Sequence, residues 1–275
     1  ALGIALLGPS LGGMVMIYVL NLIVQSSGWR AGYFTIAGCL LIVCVPAILG
    51  LCVWSPANKG LRRIGEDEEE LKQAVADKPG IAFKEAIRKP LVWVMLFATS
   101  FTTFASAAIL QHTQTYMVFN GYTADFGAFV VSLCTGLLAV GCILVGWYCD
   151  RFSFQTAAVA TAIIFAMCFF AQAFIPQAGW LVWVTIICYG IGCPAVNVIS
   201  PLMVNHLFGE KDLATFIGYV NIFIGLGGAF SAVVVGIIYD SSGSYVPAWL
   251  MLGCVLLLVA LLRGIATKKN NLFHV

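Results

Sequence analysis

The sequence predicts an all-α fold, a polytopic bundle of membrane-crossing helices, and three observations predict it. Apolar residues make up 61% of the 275-residue chain and charged residues only 9%. The charges are gathered in one stretch, Ser55–Pro90, which holds 8 of the 14 Lys and Arg and 7 of the 12 Asp and Glu. The rest divides into long apolar blocks joined by short turns. A water-soluble domain carries about 25% charged residues, because its surface must be solvated. Mean hydropathy of +0.99 therefore points to lipid as the solvent for most of this chain.

A spanning helix needs about 20 predominantly apolar residues, and eight segments meet that length. The first, Ala1–Gln25, contains Gly8-Pro9-Ser10-Leu11-Gly12-Gly13, where Gly8, Pro9, Gly12 and Gly13 are read as a helix-packing motif of small residues. The second is Tyr33–Trp54. After the charged stretch, Pro90 opens the third, Leu91–Phe119, at a position where a missing N–H does no harm. Then come Phe126–Tyr148, Thr156–Pro176 and Trp180–Val204, the last carrying Gly190, Gly192 and Pro194. Leu213–Tyr239 is rich in glycine (Gly218, Gly225, Gly227, Gly228), and Tyr245–Arg263 is the eighth. None contains Lys, Arg, Asp or Glu except Arg263 at the last boundary. Helices satisfy their own backbone in lipid, and the runs lack the alternation of barrel strands.

Threading eight spans places the beginning of the chain, Ser55–Pro90, Arg151, Lys211 and a tail with Arg263, Lys268 and Lys269 on one side. Only Arg30 falls opposite. Basic residues remain cytoplasmic, so the central loop and C-terminus are expected inside, in a cell (plasma or inner) membrane. Trp29, Trp54, Trp93, Trp147, Trp180, Trp183 and Trp249 all fall near segment ends, which predicts headgroup positions for them. In the loop, the acidic run Glu66–Glu70 leads a helical pattern ending at Lys78, the polarity a helix dipole favours. Phe83, Ile87 and Leu91 share a helical face and predict a short amphipathic helix on the inner surface.

Polar groups inside a membrane are costly and tend to face a cavity or a partner helix. Thr99, Thr103 and Ser106 form one helical stripe. Tyr189, Cys193, Asn197 and Ser200 form another. Gln111 and His112 lie toward the outer end of the third span, and Tyr219 and Asn221 toward the inner end of the seventh. The substrate-cavity candidates are Thr103, Ser106, Gln111, His112, Tyr189, Asn197, Tyr219 and Asn221. Hydroxyls returned to the helix's own carbonyls and interhelical hydrogen bonds are the structural alternatives. Asp240 is expected to end its helix. The ten cysteines stand singly, as small buried hydrophobes do, with no CxxC. No metal site, cofactor or nucleic-acid surface is predicted.

Several local patterns occur in a fixed order. They are GPSLGG, then GWRAGYF at an outer turn (Gly28–Phe34), then Gly146-Trp147-Tyr148-Cys149-Asp150-Arg151, matching G-x-x-x-D-R. Gly121-Tyr122-Thr123, Leu207-Phe208-Gly209 and Tyr239-Asp240 followed by Gly243-Ser244-Tyr245 mark further turns. With a charged loop before six spans, this order resembles the major facilitator superfamily, in particular its oxalate/formate antiporter and monocarboxylate-type branch. The resemblance implies a major-facilitator-like bundle with eight of twelve spans present. Residues 1–54 would be the last two helices of the N-terminal half, 55–90 the cytoplasmic central loop and 91–275 the C-terminal six-helix half, in a fragment lacking the first four helices. It also implies that Gly146, Asp150 and Arg151 form a gating contact at an inner turn.

The function expected is secondary active transport of a small solute, with an organic anion such as a monocarboxylate as the class the resemblance suggests. A coupling proton or a counter-substrate and the lipid bilayer are the other expected partners, and the protein is expected to be a monomer. Carriers of that branch hold an anion with basic residues inside helices eight and eleven, whereas Phe126–Tyr148 and Leu213–Tyr239 contain none. A non-transporting sensor or scaffold derived from a carrier is the alternative. An enzyme is not expected, because the spans lack any nucleophile–base arrangement or general acid–base pair.

Overall fold

The computed structural model describes residues 7–51, 80–81, 83–209 and 212–268, and the expected helix from Glu66 to Lys78 lies outside them. Helix α1 (Leu7–Cys39) continues through a π-helical turn (Leu40–Cys44) into α2 (Val45–Leu51). After the one-turn α3 (Phe83–Ala86) come α4 (Pro90–Phe119), α5 (Ala124–Arg151), α6 (Phe154–Ala173) and α7 (Leu181–Gly192). A second π-helical turn (Ala195–Ile199) joins α7 to α8 (Ser200–Phe208), and α9 (Leu213–Ser242) and α10 (Val246–Lys268) complete the chain. Seven helices among the described residues are long and apolar enough to cross a membrane.

The first of the seven, Gly8–Gly50, has 43 residues and covers both of the first two predicted spans. At 1.5 Å per residue it would measure about 65 Å if straight, twice a bilayer's hydrocarbon thickness. It is not straight. Gly28 sits at φ 80°, ψ 168° inside it, a conformation that a residue without Cβ adopts without strain. A Cβ on Gly32 would lie 3.1 Å from a Val24 methyl, whereas eight residues of straight helix would separate the two by about 12 Å. The chain therefore turns sharply at Gly28, between the two predicted spans.

The contacts divide the chain into two compact units, Val19–Pro79 and Ala1–Tyr18 with Gly80–Val275. In the first, Arg30 lies 4.9 Å over the Trp29 ring, which in turn meets Tyr33 edge-on. The second is a bundle in which α10 packs most extensively on α6, and α9 on α4. Its main core holds Phe165, Phe169, Tyr116, Tyr189, Trp249 and many alanines. Small residues set the spacing: the Cα of Gly227 leaves no room for a Cβ against the Ser100 carbonyl, nor does that of Gly141 against Gly190. Gly13 approaches Thr135, with Ser132 donating a hydrogen bond to the Met14 carbonyl at 2.6 Å.

Five expectations need correction. Trp249 is fully buried and stacks on Tyr245, because a cluster of tyrosines rather than headgroups surrounds it. The helix expected over Phe83, Ile87 and Leu91 stops at Ala86, since the residue before Pro90 is held extended (Lys89 ψ 131°). Its Phe83 ring packs on Phe216 and Tyr219 of α9 instead of facing lipid alone. Asp240 does not end its helix, which runs to Ser242 and is capped by Gly243 in the left-handed region (φ 67°). Arg263, read as part of an exposed tail, is only 2% exposed. Of the four packing residues, Gly8 and Gly12 have open space where a Cβ would stand, Pro9 is exposed, and Gly13 alone approaches another helix.

Candidate functional site

The two polar stripes read separately from the sequence meet in the structure. Ser106 Oγ of α4 lies 3.0 Å from the Tyr189 hydroxyl and 3.2 Å from Cys193 Sγ. One and a half to two turns along α4, Thr99 Oγ1 lies 3.3 Å from Ser200 Oγ. The 3.6-residue period puts Thr99 and Ser106 on one face of α4, and the same period carries Tyr189, Cys193 and Ser200 along one face of α7 and α8. Tyr189, Cys193, Thr99 and Ser200 are buried, while Thr103 and Asn197 are half-buried. Thr103 donates to the Thr99 carbonyl at 3.0 Å, as a hydroxyl serving its own helix does.

The segment between these contacts is broken. Pro194 and Pro201 have no N–H, so neither the Gly190 nor the Asn197 carbonyl can be taken by the residue four positions on. The ladder widens to π-helical spacing across Ala195–Ile199, and Ser200 Oγ donates back to the Ala195 carbonyl at 3.2 Å. Ala195 lies about halfway along the apolar stretch from Leu181 to Asn205. Discontinuous helices at half depth are where transporters build their sites.

A second polar group lies toward the end of the bundle carrying the Asn120–Thr123 turn. The Tyr116 hydroxyl donates to the Gln172 carbonyl at 2.9 Å, and Gln172 Nε2 donates to Thr113 Oγ1 at 2.9 Å. Tyr239 and Tyr245 stack at 4.3 Å, and His112 stands 5.8 Å from the Tyr245 ring. His112 is half-buried, hydrogen-bonds the Ala232 backbone of α9, and keeps a buried Nε2 without a partner. Tyr245, in the turn before α10, has its phenol pKa raised by burial first and by Tyr239 and Asp240 next. Gln111 is exposed on α4.

The remaining candidates stand apart. Tyr219 and Asn221 are exposed on α9, with the Phe83 ring 4.5 Å from Tyr219. Asp150 and Arg151 are exposed at the end of α5, and Gly146 has open space around it. Sequence reasoning missed Arg263, whose Nη2 donates to Thr102 Oγ1 at 3.1 Å and to the Ala195 carbonyl at 3.4 Å. The one available signal was its i, i+4 spacing from Val259, which places it on an inward face of α10. Among the described residues no group of His, Cys, Asp and Glu is arranged to hold a metal ion.

A model described as Major Facilitator Superfamily matches residues 1–200. Monocarboxylate transporter 12 of Mus musculus is 21% identical over 288 residues, covering 96% of this chain and 58% of that protein. Monocarboxylate transporter 12-B of Danio rerio is 23% identical over 282 residues, covering 95% of this chain and 59% of that protein. The chain thus spans somewhat under two thirds of the length of these relatives. Among solved structures, the transporter FucP in its outward conformation superposes with a TM-score of 0.56 at 18% identity, covering 87% of this chain and 55% of that one. A second structure, of the E. coli fucose:proton symporter FucP, gives the same TM-score at 17% identity, with coverages of 89% and 55%. These two likenesses concern the fold.

Proposed function

The chain belongs to the major facilitator superfamily, and from that premise we propose that it is part of a secondary transporter that moves a small solute across a membrane by alternating access. The observation that carries this reading is the broken span at Pro194–Pro201, at half depth, with the Thr99/Ser106 and Tyr189/Cys193/Ser200 stripes tied across it. Here the backbone has a second way to bond, which a carrier that changes shape requires.

The proposed division is a pair of helices from one half (1–54), a central loop (55–90) and a complete six-helix half (91–275). The loop and C-terminus are assigned to the cytoplasmic side on the distribution of Lys and Arg. Tyr219 and Asn221, exposed on α9, are assigned to the solute path together with half-buried Asn197, and Asp150–Arg151 to the contact at an inner turn. A small organic anion is the proposed solute, supported by the monocarboxylate transporters among the relatives. A proton or a counter-substrate would move with it.

Reconstituting the full-length protein in liposomes and following counterflow of labelled lactate and pyruvate tests this. Saturable exchange that an excess of unlabelled monocarboxylate competes away is expected. Exchange no faster than in empty liposomes for these and for neutral sugars would overturn the transport reading.

A further inference from the structure

Among the described residues the one buried charge, Arg263, is one that sequence position alone assigned to a surface. Arg263 spends both hydrogens of Nη2 on Thr102 Oγ1 and the Ala195 carbonyl, while its Nε and Nη1 are buried without hydrogen-bond partners. Its neighbours are uncharged: α4, the stretch Leu181–Phe208 and α10 contain no Asp or Glu. Thr102 and Ala195 each lie roughly 20 Å along helices of about 40–45 Å, at 1.5 Å per residue. Because a helical side chain leans toward the N-terminus of its helix, Arg263 reaches from near the end of α10 to the middle of the bundle. A buried guanidinium without a counter-ion is costly, and such residues inside membranes mark function by default.

What it holds explains its position. The Ala195 carbonyl is the acceptor at the mouth of the π-helical break, shared between Ser200 Oγ and the guanidinium. Thr102, the other acceptor, spends its own hydroxyl hydrogen on the Ala98 carbonyl at 2.7 Å and so presents a lone pair. The guanidinium thus bridges three elements, α10, α4 and the break.

We propose that Arg263 is a positioning residue that pins the break at Ala195–Ile199 to α4 in the conformation seen here. Its unfilled Nε and Nη1 are the donors that take a further carbonyl of the break, that of Asn197, when the segment changes shape. Its place in a transport cycle rests on the reading above; the pinning does not.

The test is hydrogen–deuterium exchange of the full-length protein in nanodiscs, comparing wild type with Arg263→Met, Arg263→Lys and Thr102→Val. In Arg263→Met, amides of residues 195–200, 202 and 203 are expected to exchange at least tenfold faster, with those of α6 unchanged. The lysine variant, which keeps the charge but not the fork, should fall between methionine and wild type. Thr102→Val, which keeps the charge and removes one acceptor, should speed the same amides about threefold. Unchanged exchange in the break in Arg263→Met overturns the proposal. So does acceleration spread evenly over all helices with no rescue by lysine, the mark of an ordinary packing contact. If Arg263→Met fails to fold, Thr102→Val decides, and unchanged exchange there overturns it equally. Faster local exchange in a protein that carries no solute would uphold the pinning while removing the transport reading.

Discussion

At the scale of single residues, hydroxyls of the same type do different work. Thr103 returns its hydrogen to its own helix, whereas Thr113 is the acceptor for the buried amide of Gln172. Thr113→Val leaves that amide without a partner and is expected to cost about 1–3 kcal/mol. Thr103→Val leaves nothing unpaired, and its expected cost is under about 0.5 kcal/mol. Thermal unfolding in detergent, read from the emission of buried Trp249, orders the pair, and equal losses would contradict the assignment. Tyr189→Phe removes one net hydrogen bond to Ser106 and should cost about 1 kcal/mol. The stripes containing Thr103, Ser106 and Tyr189 were legible in the sequence, because helical period alone puts Thr99 and Ser106 on one face; the Gln172–Thr113 pair was not. That the stripes face each other was not, since period says which residues share a face and nothing about what the face meets.

At the scale of elements, glycines of one helix differ in the same way. Gly227 of α9 lies against the Ser100 carbonyl of α4, while Gly225 has open space beside it. Gly227→Ala must push α9 away and is expected to destabilise by about 1–3 kcal/mol. Gly225→Ala should be neutral or stabilising by up to about 1 kcal/mol through helix propensity. Comparing melting temperatures of the two variants checks this, and a neutral Gly227→Ala would mean that α4 and α9 are not in close contact. The end of the central loop is held by equally specific means. Gly80 and Gly209 form an isolated antiparallel bridge, and the Phe83 N–H donates to the Asp212 carboxylate at 2.8 Å. Asp212→Ala should release this strap and let trypsin cut at exposed Lys84 and Arg88 several-fold faster. An unchanged digestion rate would count against it.

At the scale of the whole molecule, span lengths and the distribution of charge lead to a labelling experiment. Single cysteines at exposed Ser26, beside the Gly28 turn, and at exposed Gln155, just past Arg151, should face opposite sides of the membrane. An impermeant maleimide added to intact cells is expected to label Ser26→Cys at once and Gln155→Cys only after permeabilisation; labelling of both from one side would overturn the topology. The sequence by itself determined the solvent, the helical class and the extent of the spans, because each follows from local composition measured against a bilayer of known thickness. The missing N–H groups at Pro194 and Pro201 are covalent chemistry, but the π-helical course between them came only with the structure. Only the tertiary structure decided that the chain turns at Gly28, that Trp249 lies among tyrosines, and that Arg263 reaches the break. Those outcomes depend on which surfaces of distant segments come together, and a long side chain such as arginine can place its charge several ångströms from the depth at which its backbone stands.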